Sequence, residues 1–184
     1  GLLFAGFEGA GVWQAQRPGG PWRLSGLPGR SVLDLVEDGE GVLYAATDRG
    51  VYRRDGVTWS RLPDIVADDT TAYDQFVSRL FTDQAGGIVA LRLERLWRSR
   101  GEQGWQPFGP QALQGRMTTV FGCCGDGAGV GTNGLGLWTR SGDTWRQEDG
   151  DPFVRLEVVG GASGGTDCRD DQRSFRPARQ WRTR

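Results

Sequence analysis

The sequence predicts an all-β protein built from four-stranded antiparallel units, and three observations carry that reading. Four passages align with one another: LLFAGFEGAGVWQAQRPGGPW, LYAATDRGVYRRDGVTW, IVALRLERLWRSRGEQGW and GVGTNGLGLWTRSGDTW. They put one aromatic column at Trp13, Tyr52, Trp97 and Trp138 and a second at Trp22, Trp59, Trp105 and Trp145, so seven of the eight tryptophans fall in register. Successive members lie 39, 45 and 41 residues apart in the first column and 37, 46 and 40 in the second, which is the period of a supersecondary unit. A short apolar segment with a glycine-rich turn follows each unit, in SVLDLVEDGEG, VSRLFTDQAGG, MTTVFGCCGDG and VRLEVVGGASGG. Finally, helical periodicity is hard to find, and the 31 glycines recur at the joints where a reversing backbone needs positive φ.

Taken in order, each unit holds four candidate strands. In the second unit they lie around Val32, over LYAAT, over GVYRR and over TWSRL, rich in the Thr, Val, Tyr and Trp that strands favour. The chain enters on a second-strand segment, Leu2 to Ala5, and its last strand-like segment, Val154 to Val159, has the pattern of a first strand. A small sheet cannot bury both faces alone and must stack on its neighbours, which is the construction of a β-propeller. The expected fold is therefore four blades of four antiparallel strands, either an open arc of a larger propeller or a ring closed by pairing of 154–159 with the N-terminal blade. The ring aromatics then seal the seams between blades, each burying roughly 150–250 Å². Loss of one is expected to cost about 3–5 kcal/mol.

Residues 1–165 form the repeat region. Residues 166–184 break the pattern with six arginines and no strand, and are expected to be an irregular or disordered tail. A first residue of Gly1, already in strand-like sequence, makes the chain read as a piece of a longer protein or a processed product.

DGEGVLYAATDRGVYRRDG resembles the blade repeat of two-component-regulator propellers: an Asp and glycines, an apolar-aromatic pair, a small residue and Thr, then Gly, an aliphatic and an aromatic. The Asp-box repeat of sialidase-like and assembly-factor propellers, S-x-D-x-G-x-T-W, is similar at Gly56, Thr58 and Trp59 and at Gly142, Thr144 and Trp145, but Arg54 and Arg140 hold its aspartate position. The two-component resemblance implies an extracytoplasmic, non-catalytic sensing module. WD-type repeats do not fit, because their Gly-His signature needs a histidine and the chain has none.

Charge and composition narrow the function classes. A formal net charge of -1 provides no basic field for nucleic acid, and no stretch nears the roughly 18 apolar residues of a membrane-spanning helix. The absent histidine removes Ser-His-Asp catalysis and imidazole metal sites. Cys123 and Cys124 are adjacent and point to opposite faces of a strand, so they read as buried small residues rather than a bridge or metal pair. No cofactor is expected. Glycoside hydrolysis needs two facing carboxylates, and the strand acids Asp34, Glu94 and Glu157 have no identifiable partner.

Binding is the better reading, with an unidentified protein or glycan as partner; a carbohydrate-active propeller and a structural assembly factor are the alternatives. In such an architecture, the fourth-to-first-strand connections and the second-to-third-strand turns share one rim. The longest, RLPDIVADDTTAYDQF, carries Asp64, Asp68, Asp69, Tyr73 and Asp74, and the last, RQEDGDPF, adds Glu148, Asp149 and Asp151. Long loops in compact folds are disproportionately functional, and these are the candidate ligand-binding residues.

Overall fold

The computed structural model describes residues 1–66, 75–83, 87–122, 127–142 and 144–147. It contains four antiparallel sheets, each with its strands in sequence order. The first has three strands: β1 (Leu3–Phe7), β2 (Gly11–Ala15) and β3 (Arg23–Gly26). The second comprises β4 (Val32–Glu37), β5 (Leu43–Thr47), β6 (Gly50–Asp55) and β7 (Thr58–Arg61). The third comprises β8 (Arg79–Thr82), β9 (Ile88–Arg92), β10 (Arg95–Ser99) and β11 (Trp105–Phe108). The fourth comprises β12 (Met117–Gly122), β13 (Gly127–Thr132), β14 (Leu137–Ser141) and β15 (Thr144–Gln147). Among the described residues the only helical pieces are single 3-10 turns at Gly101–Gln103 and Gln111–Leu113.

The strands expected around Val32, over LYAAT, over GVYRR and over TWSRL form β4 to β7. Glu94 is not a strand acid: with Leu93 it makes the β9–β10 turn, at φ of 58° and 48° respectively. Two residues between antiparallel strands must both turn left-handed to follow the sheet twist. The proposed partner strand of the first sheet, Val154 to Val159, lies outside the described residues, as do Glu157, all three cysteines and the arginine-rich tail.

The sheets pack in series, first to second, second to third and third to fourth, with β4 against both β1 and β8, and β8 against β12. Three apolar cores fill the junctions. Val12 meets Val32, Ala45, Tyr52 and Trp59 between the first and second sheets. Val51, Ala46, Leu80, Ile88, Trp97 and Trp105 fill the second junction. Phe81, Val89, Leu96, Phe108, Met117, Val130, Trp138 and Trp145 fill the third. In each case the aromatic columns of a sheet face the sheet before it.

The second column is seated by a rule. Trp59 lies on Gly26, where any Cβ would meet its indole at 2.2 Å. Trp105 donates its Nε1–H to the Pro63 carbonyl at 2.8 Å. Trp145 rests beside Gly109 and meets Phe108 edge-on at 6.0 Å. Positions 26, 63 and 109 each lie four residues after the preceding sheet's own tryptophan, Trp22, Trp59 and Trp105. The repeat therefore supplies both the indole and the notch that takes the next one.

Arg54 and Arg140 pair across the strand with Trp59 and Trp145. Their guanidinium groups lie over rings of the preceding sheet, Arg54 on Phe4 and Arg140 on Phe108, each 4.9 Å from the centroid. A cation over an aromatic face is attracted by the ring quadrupole, so the position that the Asp-box gives to a turn aspartate here serves sheet stacking.

Candidate functional site

The second-to-third-strand turns and the connections between sheets lie side by side and are hydrogen-bonded into one band. Gly9 N–H donates to Ser31 Oγ at 3.1 Å, and Ser31 N–H donates to Asp48 Oδ1 at 3.2 Å. Asp48 N–H returns to the Ser31 carbonyl at 3.1 Å. The first two sheets are thus clamped by a reciprocal Ser31–Asp48 pair at the rim. Farther along, Arg49 bridges to Gln75, and Val77 N–H donates to the Thr47 carbonyl at 3.1 Å. The Glu94 carbonyl accepts from Gly115 and Met117, and Asn133 N–H donates to the Arg116 carbonyl at 2.7 Å. One turn of every sheet is held by the connection next to it.

Repeat chemistry explains the local geometry. Thr47 Oγ1 donates to the Gly50 carbonyl at 2.8 Å and accepts from Arg49 N–H at 3.0 Å. Thr132 does the same for its turn, donating to the Gly136 carbonyl and accepting from Leu135 N–H. The third sheet has Arg92 at this place, 1% exposed, and it is there that the turn falls on Leu93 and Glu94.

Asp64 is the one rim-loop candidate among the described residues. It is exposed and forms an ion pair with Arg61 at 2.5 Å, while Arg61 Nε donates to the Arg49 carbonyl at 2.8 Å. Asp68, Asp69, Tyr73, Asp74, Glu148, Asp149 and Asp151 lie outside the described residues. Asp64 therefore stands in the Arg49–Arg61 cluster at the start of the long loop.

Every aspartate among the described residues has a structural partner. Asp34 Oδ2 accepts from Leu80 N–H at 2.9 Å and Oδ1 from Leu35 N–H at 3.0 Å. Burial pushes its carboxyl above the ordinary 3.8, against the lowering pull of the Leu80 bond, Arg79 and the Leu35 bond. Asp38 Oδ1 accepts from Glu40 and Val42 N–H, tying the β4–β5 turn. Asp83, 2% exposed, pairs with Arg98 at 2.6 Å and accepts from Gly87 N–H. Asp55 pairs with Arg53, and Asp48 is shared by Arg30, Arg49 and Ser31. Burial, then the neighbouring Asp38 carboxylate, raise the Tyr44 phenol above its ordinary 10.0. No group of three or more metal-ligating side chains occurs among the described residues.

Sequence reasoning placed Asp48 in a rim turn and Arg61 at the start of the long loop, but did not single out Ser31 or the Ser31–Asp48 and Arg61–Asp64 pairings. Their signal is weak, because a serine and an aspartate beside turns read as ordinary turn formers until the sheets are stacked.

These features define an all-β chain of four small antiparallel sheets in series, with turns and connections gathered on a common rim. No family model matches the chain, and no curated protein matches it. Among solved structures it is similar to the extracellular domain of the putative one-component system BT4673 from B. thetaiotaomicron, at 14% identity and a TM-score of 0.39. A second structure of that domain, described as part of a putative hybrid two-component system, gives 14% and 0.40. In both, 79% of this chain is covered and the match spans 27% of the other. Among the described residues, no helix is long and apolar enough to cross a membrane.

Proposed function

We propose that the chain is a non-catalytic binding or sensing module, an arc of β-propeller blades that works outside the cytoplasm and recognises a protein or glycan through its rim. The observation that carries this reading is the hydrogen-bonded band running from Gly9 through Ser31, Asp48 and Arg49 to Glu94 and Asn133. A rim fixed in this way presents its loops from a rigid base, the arrangement in which loop residues act as recognition elements. The loop from Asp64 through Asp68, Asp69, Tyr73 and Asp74, with Glu148, Asp149 and Asp151 beyond the last described strand, supplies the acidic contacts. Engagement of every described aspartate in backbone or arginine contacts weighs against a catalytic carboxylate pair.

The test is a binding screen of the intact chain against a glycan panel and divalent cations, repeated with Asp68, Asp69 and Asp74 all changed to Asn. Binding that the triple variant loses, with unchanged circular dichroism, supports the loop. Equal binding by both proteins removes it, and hydrolysis of any glycan would overturn the non-catalytic assignment.

A further inference from the structure

We propose that Asn133–Gly134, in the β13–β14 turn, is a self-modification site: the Asn133 side chain closes on the Gly134 nitrogen, and the products put a new carboxylate on the rim. Asn133 is the chain's single asparagine, and a glycine follows it. Both residues are exposed. Gly134 sits at a φ of 81°, and a Cβ there would meet nothing within 4 Å, so the space beside its nitrogen is open.

The turn is closed without either reacting group. Thr132 N–H and Oγ1 both donate to the Gly136 carbonyl, and Leu135 N–H donates to Thr132 Oγ1 at 3.2 Å. Asn133 is held by its own N–H, which donates to the Arg116 carbonyl at 2.7 Å. Among the described residues, the Asn133 carboxamide and the Gly134 N–H take no hydrogen-bond partner. The described Asp-Gly pairs, which could cyclise in the same way, are engaged. Asp38 Oδ1 accepts from Glu40 and Val42 N–H, and Asp55 pairs with Arg53 and accepts from Ser60 Oγ. A carboxamide committed to no contact can turn its carbon onto the next backbone nitrogen, and glycine puts no side chain in the way.

Attack by the deprotonated Gly134 nitrogen on Asn133 Cγ forms a C–N bond and expels the side-chain nitrogen as ammonia, leaving a five-membered succinimide. Water then opens the ring. Hydrolysis at Cγ gives aspartate; hydrolysis at the backbone carbonyl carbon gives isoaspartate, whose main chain is longer by one methylene. Both products carry a carboxylate where Asn133 was neutral. The added methylene falls inside a turn tied to Arg116 on one side and closed by Thr132 and Gly136 on the other, so it releases the contact that holds this turn to the preceding connection. The modification does not depend on rim recognition.

The intact chain, aged in neutral and mildly alkaline buffer beside the same chain unfolded in urea, tests the site by peptide mass and isoaspartyl labelling. The Asn133 peptide should convert to aspartate and isoaspartate at a folded rate within about tenfold of the unfolded one, rising about tenfold per pH unit because the attacking nitrogen must lose its proton. Asn133→Gln, which would need a six-membered ring, should stay unconverted. A slower folded rate would show that the turn shields the pair and overturns the proposal, as does a rate indifferent to pH or conversion of the Gln variant at the same pace. Hydrogen exchange at the Asn133 N–H, read by NMR, should quicken in the isoaspartate product and stay slow in Asn133→Asp, which carries the charge without the methylene. Equal exchange in the two overturns the release of the Arg116 contact.

Discussion

At β4 the Asp34 carboxylate gives up hydration to reach the Leu80 N–H of the next sheet. β8 is an edge strand, and this contact takes up one of its backbone donors. Replacing Asp34 with Ala strands that donor, and an unsatisfied N–H costs about 1–3 kcal/mol, readable as a lower urea midpoint. Asp34→Asn keeps an oxygen for Leu80 and removes the desolvated charge. Its pH behaviour separates the two effects. Because the folded-state value lies above the ordinary 3.8, the folded chain holds the Asp34 proton more tightly than the unfolded chain does. The Asp34 contribution to stability is therefore most favourable below 3.8, declines as pH rises from there through the raised value, and is constant above it. Asp34→Asn should remove that decline from a pH series of urea midpoints. Gly26 offers a second residue-scale test. Gly26→Ala drives a methyl into the Trp59 indole and should destabilise by about 1–3 kcal/mol, the cost of overpacking, while Gly39→Ala, with open space around it and no left-handed backbone, should leave stability nearly unchanged.

Among the described hairpins, β9–β10 is the one built with the wrong residues for its turn. Leu93 and Glu94 both sit at positive φ, and Leu93 is 45% exposed, so its side chain gains little burial in exchange. Left-handed non-glycine residues cost of order 1–3 kcal/mol when held by surrounding structure. Leu93→Asn with Glu94→Gly installs the residues this turn favours and should raise stability by about 1 kcal/mol in thermal or urea unfolding. Only the Glu94 backbone carbonyl holds Gly115 and Met117, so the substitution leaves that rim contact in place. The elements were largely legible in the sequence, because alternating apolar residues and glycine punctuation are local signals. LYAAT, GVYRR and TWSRL announce β5 to β7 in this way. LRLERLW hides its turn, since neither residue is one that a left-handed backbone selects.

Across the whole molecule the eight repeat aromatics are equivalent in the sequence and unequal in the structure. Trp105 is packed on the second-sheet core with its indole hydrogen-bonded to Pro63, and Trp105→Ala should cost about 3–5 kcal/mol. Trp22 is 42% exposed, and no described sheet packs against it, so Trp22→Ala should cost this chain less than about 1 kcal/mol, within the range of surface substitutions. Parallel denaturation curves of the two variants at low protein concentration check the contrast. Neither aromatic column reveals which of its rings are covered, since a period records what each unit offers and not what packs against it.

The sequence by itself determined the strand repeat, the period and the rings that seal one sheet to the next, because hydrophobic alternation and turn chemistry act over a few residues. The tertiary structure alone decided that Asp34 and Asp83 serve backbone and arginine contacts and that Ser31 clamps Asp48. It also decided that Arg54 and Arg140 stack on the rings of another sheet. Those partners lie 46, 15, 17, 50 and 32 residues away along the chain, and strand pairing within a sheet (Asp83 with Arg98, Ser31 with Asp48) or stacking of sheets (the others) brings them within reach.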